Sequence, residues 1–370
     1  LSPLTAAQIL ENQEAVQELS GKLNWRQHLL ALATLRRDNQ SLFEQLIQWS
    51  QSAAAPLSRF LVVFSVISPL VLVGLIVAAR MTGDEFLVSL ASMLFTIHLA
   101  VSMSQFKRMQ RELVSADHIK ETILQYSLII KSIEEESFNS HKINALKAKL
   151  TDASGPVSGH IRQLSVLFSR LDSMHNLMGV MFLSGLFMYH IHAFRQLLHW
   201  KKQYAALIPD WLQVVGEIEA LNSLGNFSAN NPHYAFPQLN DRQEIAFEQL
   251  GHPLLRAEKR VSNDVHFTPQ RFMLLTGSNM SGKSTFLRTL GINMVLAGVG
   301  APVCATNARV HPLPVWVSMR LSDSLSDSES YFFAEIKRLR EIMDVLEAGP
   351  AFVLLDEILR GTNSDDKRSG

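Results

Sequence analysis

The sequence predicts a mixed fold: a mainly α-helical chain interrupted by a transmembrane helical hairpin, followed by an α/β domain. Three observations predict it. Two long uncharged apolar runs, Leu61–Ala79 and Phe86–Met103, lie close together. Apolar residues recur at helical spacing on both sides of these runs. Beyond Pro237 the texture changes to short apolar strands set between helices, and a glycine-rich loop follows one of those strands.

The hairpin is the clearest element. Leu61–Ala79 is 19 residues and Phe86–Met103 is 18 residues, and neither carries a charge. A helix of about 20 residues rises ~30 Å, enough to cross the hydrocarbon core of a bilayer. Pro69 and Gly74 fall inside the first run, where a membrane helix tolerates them better than a water-exposed one. Arg36, Arg37 and Arg59 precede the first run, and Lys107, Arg108 and Arg111 follow the second. The connecting loop sets Arg80 against Asp84 and Glu85, so the positive-inside bias places both ends in the cytoplasm and the loop outside. A buried hairpin in a large soluble core is the alternative. A secretory signal peptide does not fit, because the run starts sixty residues in and no small-residue cleavage pattern follows.

A third apolar stretch, Leu177–Phe194, reads as a buried core helix, with a third span as the competing reading. Its His190 and His192 lie two apart, on different faces of a helix, which makes them poor joint metal ligands.

The remaining elements follow from periodicity and breakers. Residues 1–58 read as helical, with Ile9, Val16, Leu19 and then Leu29, Leu30, Leu32 and Leu35 near helical spacing. Glu112–Leu150 reads as a long, more polar helix continuing from the second run. Thr151–His160 is a turn cluster in which Gly155-Pro156 breaks the helix. Helical patterning resumes over Ile161–Leu224 with an interruption near Pro209. Asn226–Pro237 carries the Pro, Asn and aromatic residues of a domain boundary. The expected organisation is residues 1–58 as the start of a helical core, 59–104 as the hairpin, 105–237 as further helical core, and 238–370 as an α/β domain.

Composition bounds the function. Lys+Arg and Asp+Glu are both 34, so the net charge of this 370-residue chain is zero, which excludes a strongly basic chromatin-type or ribosomal-type protein. Apolar residues make up 47% and charged residues 18%, which excludes disorder as a description of the whole. One cysteine, Cys304, excludes an intrachain disulfide framework and a cysteine-cluster metal site, and it reads as a small buried apolar residue.

Chemistry concentrates after residue 270. Gly277–Thr285 reads GSNMSGKST and fits G-x-x-x-x-G-K-[ST], between an apolar strand expected at Arg271–Thr276 and a helical run at Phe286–Ala297. Such a loop lets backbone N–H groups of Gly277, Ser278, Asn279, Met280, Ser281 and Gly282 approach phosphates at a helix N-terminus. Lys283 would reach the β- and γ-phosphates of ATP, and Ser284 would ligate Mg²⁺, with Thr285 completing the motif. The α/β domain is therefore expected to be a P-loop ATPase domain. Ala351–Glu357 is an apolar strand ending in Asp356, a carboxylate for the Mg²⁺ shell. Glu357 follows it as candidate general base, so Lys283 and Glu357 are the candidate catalytic residues. Ser322–Met343, between these elements, is a serine-rich and acidic stretch leading into an amphipathic helix.

The order of these elements resembles the MutS mismatch-repair ATPases, which carry TGPNMxGKST, then a Ser-Thr-Phe-Met-x-Glu-Met segment, then DEIGRGTS. The counterparts here are TGSNMSGKST, Ser330-Tyr331-Phe332-Phe333-Ala334-Glu335-Ile336, and Asp356 through Ser364 as DEILRGTNS. Gly251–Leu255 (GHPLL), Asn263-Asp264, Gly300–Ala305 (GAPVCA), Glu217–Phe227 and Leu1–Leu32 are similar to further family segments. The resemblance covers roughly half the chain. It implies a Mg-dependent, ABC-like ATPase whose two subunits pair as a homodimer through their ATPase domains, with Ser330 contacting the γ-phosphate bound by the other subunit. It also implies coupling of nucleotide state to DNA binding, as in DNA mismatch repair.

The resemblance includes no counterpart of the family's mismatch-reading domain with its Phe-x-Glu wedge. The hairpin stands where the family has its lever and clamp, and Gly298 stands where many members have Gln. The sequence thus looks most like a membrane-associated MutS-like branch, with residues 61–103 in the membrane and the ATPase domain in the cytoplasm. The chain is expected to be a fragment open at both ends, and inactive in turnover as it stands. A second function stays open: a membrane-anchored, nucleotide-gated scaffold that switches a protein partner without touching DNA. An ABC-type transporter ATPase fits less well, because no LSGGQ signature is present.

Overall fold

The computed structural model of the chain describes residues 3–34, 40–53, 55–113, 116–152, 155–173, 180–267, 272–278, 280–319 and 331–356. The described residues are mostly helical with small sheets, and they group into two compact units. One unit comprises Asn24–Phe138 and Asn144–Glu219; the other comprises Leu1–Leu23, Asn139–Ile143 and Ala220–Gly370.

Among its described residues the first unit is helical apart from connecting segments and a two-residue β-ladder at Thr151–Asp152 and Gly155–Pro156. Leu23–Thr34 and Gln40–Gln51 form the helices that leucine periodicity predicts. The two apolar runs form helices Arg59–Thr82 and Glu85–Leu113, packed on each other as a hairpin. Ser58 caps the first helix by accepting the Leu61 N–H, and left-handed Gly83 ends it. Both helices are long and apolar enough to cross a membrane, and their outward residues Phe60, Leu70, Ile76, Met81 and Phe86 are exposed.

The long helix expected over Glu112–Leu150 is in fact divided. Glu85–Leu113 ends, Ala116–Glu135 follows, and His141–Ala148 comes after a non-helical Ser137–Ser140. In that break the Glu136 carbonyl accepts from the Lys147 ammonium, and the Phe138 carbonyl accepts from the Asn144 amide. These side chains replace the lost ladder partners, as backbone groups require.

The stretch expected as one core helix over Leu177–Phe194 is also divided, with residues 174–179 outside the described ones. Val180–Ser184 is a π-turn, Gly185–Phe187 one helical turn, and buried Met188 adopts a left-handed conformation at φ 51°. Helix Tyr189–Tyr204 then begins afresh and runs beside helix Val157–Asp172. The Trp200 indole donates to the His160 carbonyl, Trp49 stacks on Trp200, and His160 stacks on Tyr204 at 4.3 Å. Lys201, 1% exposed at its side chain, donates to Glu112 at 2.8 Å and Ser52 at 2.7 Å, beneath the Trp49 ring.

The second unit opens with helix Ala6–Gly21, started by a capping box: Thr5 Oγ1 accepts from the Gln8 N–H while the Gln8 side chain accepts from the Thr5 N–H. Glu18 on this helix accepts the N–H groups of Asn139 and Ser140 at 2.8 and 2.7 Å. The helix is tied to the rest of its unit by Asn12, which donates to the Val299 carbonyl, and Gln13, which donates to the Pro237 carbonyl.

A four-stranded sheet follows in the order Gln238–Leu239, Asn307–Val310, Ile245–Leu250, Asn263–His266, antiparallel except for the first pair. Val315–Ser318 and Phe352–Leu355 form a separate parallel pair, and helix Tyr331–Ala348 lies in the crossover between them. Helix Lys283–Gly298 buries Leu290, Met294 and Ala297 in a core shared with Phe247, Val303, Phe352 and Leu354. The strand expected at Arg271–Thr276 does not form over the described residues Phe272–Thr276. Phe272 and Leu274 are 78% and 73% exposed, so this segment lacks the packed face that a half-buried strand needs.

Candidate functional site

The Gly277–Thr285 loop leads directly into helix Lys283–Gly298. Gly282 is the helix N-cap with φ 92°, a left-handed value that L side chains avoid, and no side chain caps the helix. Met280 is left-handed too, at φ 63°, and its side chain is fully exposed. The Phe286 N–H is the first to close an intrahelical bond, to the Gly282 carbonyl at 2.9 Å. The amides of the helix start therefore face outward as donors beside the positive end of the helix dipole.

Lys283, the first helical residue, folds its side chain back over the loop. Its ammonium donates to the carbonyls of Gly277 and Ser278, each at 2.8 Å. The structure thus brings Gly277, Ser278, Gly282 and Lys283 together around one positive charge, with Ser284 half-buried on the same turn. Asn279 lies outside the described residues.

Asp356 sits at the end of strand Phe352–Leu355 and extends its ladder, donating its N–H to the Ser318 carbonyl at 2.9 Å. The strand is anchored by Phe352 and Leu354, which pack with Leu290 and Met294 of the Lys283–Gly298 helix. One core therefore carries both the glycine-rich loop's helix and the acidic strand. Glu357 and Ser330 lie outside the described residues. Among the described residues no group of three or more His, Cys, Asp or Glu is placed to hold a metal ion by itself.

Residues that pattern reading missed hold this frame. Arg338 on helix Tyr331–Ala348 donates to the Val317 carbonyl at 3.1 Å and lies over the Trp316 ring, fixing the helix to the parallel strand pair. Asn293, wholly buried, donates to the Gly251 and Thr289 carbonyls and accepts from the Cys304 N–H. Beside it, Arg260 donates to the Tyr234 hydroxyl and the Cys304 thiol, each at 2.8 Å. Burial pushes the Tyr234 phenol above its ordinary value, and the Arg260 guanidinium opposes that rise. The only sequence signal for this cluster was its position in the Gly251–Leu255 and Gly300–Ala305 segments.

Residues 273–369 match the family MutS domain V. The DNA mismatch repair protein MutS of Geobacillus sp. (strain WCH70) is 32% identical over 172 residues, 45% of this chain and 20% of that protein. MutS of Protochlamydia amoebophila is 33% identical over 180 residues, 47% of this chain and 21% of that protein. The DNA mismatch repair protein msh3 of Aspergillus terreus is 34% identical over 164 residues, 42% of this chain and 14% of that protein. The matched part thus spans about a fifth or less of each of these relatives.

Proposed function

We propose that the chain, whose residues 273–369 match MutS domain V, is a MutS-type protein that binds and hydrolyses ATP with Mg²⁺ and couples nucleotide state to DNA binding. The observation that carries this reading is the uncapped helix start at Gly282–Lys283, with the Lys283 ammonium held against the Gly277 and Ser278 carbonyls. Donor amides, a dipole and one mobile cation form a receptor for a polyphosphate. The donor set also suits a hard cation: the Ser284 hydroxyl and the Asp356 carboxylate supply the oxygen ligands that Mg²⁺ prefers.

In this reading ATP supplies the phosphoryl group, and the chain positions it. Lys283 turns from the loop carbonyls to the phosphates, Glu357 takes the proton of the attacking water, and Ser330 completes the site of a partner subunit. Residues 61–79 and 86–103 cross the membrane with both ends cytoplasmic, which keeps the nucleotide site in the compartment that holds ATP. The apolar outer faces of Arg59–Thr82 and Glu85–Leu113 support that placement.

A second reading rests on the same hairpin: a membrane-anchored scaffold that uses ATP to switch a protein partner and binds no DNA. Fluorescence anisotropy of labelled ATP with Mg²⁺ tests the shared core of both readings. Saturable binding that Lys283→Ala weakens is expected, and its absence in the unaltered protein would remove both. DNA titrations at rising salt separate them: affinity that falls steeply with salt supports coupling to DNA, whereas no binding leaves the scaffold.

A further inference from the structure

The Val180–Phe187 segment is too short to cross a membrane and too apolar on its outside for water. Its eight residues would rise ~12 Å as a helix, against the ~30 Å of a hydrocarbon core. Yet Met181, Phe182, Leu183 and Phe187 are all exposed, and no charge occurs from Val180 to His190. The buried side of the segment is pinned to the hairpin. His98, wholly buried on helix Glu85–Leu113, meets the Gly185 carbonyl through Nδ1 at 2.9 Å and the Ser68 hydroxyl through Nε2 at 2.8 Å. A carbonyl only accepts, so Nδ1 carries the proton. Gly185 lies so close to Phe95 that an added Cβ would come within 2.4 Å of the ring. The Ser68 hydroxyl lies 3.6 Å from the Met188 sulfur, and His192 Nε2 lies 2.9 Å from the Ser65 carbonyl.

These contacts fix the depth. Ser68 is nine residues beyond Arg59 and His98 is nine residues before Lys107, so both anchors lie ~14 Å along the helices from the charged ends. The flanking helices both lead back toward those ends. Helix Val157–Asp172 arrives beside helix Tyr189–Tyr204, with Arg170 bonded to Gln196 and Ser173 to His190. Tyr189–Tyr204 then descends past Arg108, which lies over the Phe194 ring, to the Lys201–Glu112 pair. Helix Tyr189–Tyr204 therefore starts at left-handed Met188, beside the anchors on the hairpin, and returns toward the charged ends.

We propose that Val180–Phe187 is a re-entrant tip that embeds Met181, Phe182, Leu183 and Phe187 in the acyl chains of a phospholipid bilayer. It enters the leaflet nearest the charged ends of the hairpin and does not cross. The occupant is lipid, because the apolar tip adjoins a hairpin of bilayer length about halfway along it, ~14 Å from the charged ends. The inference rests on the membrane reading of that hairpin.

The test uses the full chain as Cys304→Ala, with one new cysteine at Phe182→Cys, at Leu70→Cys in mid-hairpin, or at exposed Leu207→Cys. Each is labelled with an environment-sensitive fluorophore and reconstituted in phosphatidylcholine–phosphatidylglycerol vesicles. Vesicles carry a nitroxide either near the headgroup or near the acyl-chain end. Loss of fluorescence at positions 182 and 70 chiefly to the deep nitroxide, and at position 207 to neither, is expected. Quenching at 70 without quenching at 182 overturns the tip and leaves the hairpin standing. No quenching at 70 overturns the hairpin and the tip with it. Quenching at 182 confined to the shallow nitroxide overturns the placement of the tip beside Ser68 and His98.

Discussion

The buried side-chain amide of Asn293 accepts the backbone N–H of Cys304 at 2.7 Å while donating to the Gly251 carbonyl at 3.0 Å. Because Gly251 N–H in turn reaches the Cys304 carbonyl at 2.8 Å, one side chain locks two loop segments to the helix that starts at the glycine-rich loop. Asn293→Ala should cost about 2–3 kcal/mol, since it orphans the buried Gly251 carbonyl and Cys304 N–H. Urea unfolding followed by tryptophan fluorescence measures it. A loss below about 0.5 kcal/mol would mean that these groups find other partners.

At the loop itself, Lys283→Ala should weaken ATP binding by tenfold or more, matching the ~1.5–3 kcal/mol of a hydrogen bond to a charged group. In the full-length protein Glu357→Gln should leave binding intact and slow hydrolysis, because it removes a base and not a phosphate contact. Anisotropy reads the first effect and phosphate release the second. Equal loss of binding in both variants would contradict these separate roles.

Lys201 is the most deeply buried charge of its neighbourhood, held by Glu112, Ser52 and the Trp49 face. Lys201→Met leaves Glu112 without its counter-charge and should cost about 3 kcal/mol. Adding Glu112→Gln should restore much of that loss, because the desolvated carboxylate is then gone. Thermal melts of the single and double variants give the coupling directly, and simple additivity would show that the two do not act as a pair.

The Tyr234 phenol titrates above its ordinary value, chiefly because burial disfavours the phenolate. Above the unfolded value near 10 an unfolded chain releases this proton while the folded one keeps it. Stability linked to Tyr234 is therefore present below that pH and falls as pH rises through the interval up to the folded value. Arg260→Gln removes the opposing positive charge and should push the phenol higher still. Ultraviolet phenolate titration, with Tyr234→Phe subtracted, checks the direction. A downward move would mean that Arg260 acts through Cys304 and not on the phenol.

Gly300 has φ 81°, and a Cβ there would stand 2.5 Å from the Asn12 Cβ and 2.8 Å from the Ile9 carbonyl oxygen. Gly300→Ala should thus cost about 2 kcal/mol or more, combining backbone strain with a clash against main chain that cannot step aside. Gly21→Ala, with open space around it, serves as the control. Equal melting temperatures for the two would show that helix Ala6–Gly21 shifts freely at this contact.

The hairpin helices and the glycine-rich loop were legible because each is a local signal. An uncharged run of bilayer length, or a G-x-x-x-x-G-K-S-T string before a helix, needs no knowledge of distant residues. The break at Met188 was not legible, because an apolar run reads alike whether it continues as one helix or reverses. What stops it is Gly185 lodged against Phe95 and its carbonyl taken by His98, residues about ninety positions upstream. Asn293 escaped notice for a similar reason: within an apolar helix one Asn is unremarkable until Gly251 and Cys304 are known to surround it. The strand expected at Arg271–Thr276 shows the converse. Apolar composition marks what could form a strand, but a ladder also needs a neighbour, and Phe272 and Leu274 face outward without one.

The clasp of Asn12, Gln13 and Gly300 has a consequence for biosynthesis. Leu1–Leu23 leaves the ribosome well before its partners, which lie in Ala220–Gly370. Roughly 200 residues intervene, which at about 5–20 residues per second leaves the nascent first helix waiting ~10–40 s for a surface to dock on. During that interval its capping box is the local device that keeps the helix started, while the intervening helical unit is already being made. The order of synthesis thus runs against the order of assembly, and helix Ala6–Gly21 is made well before the surface on which it docks.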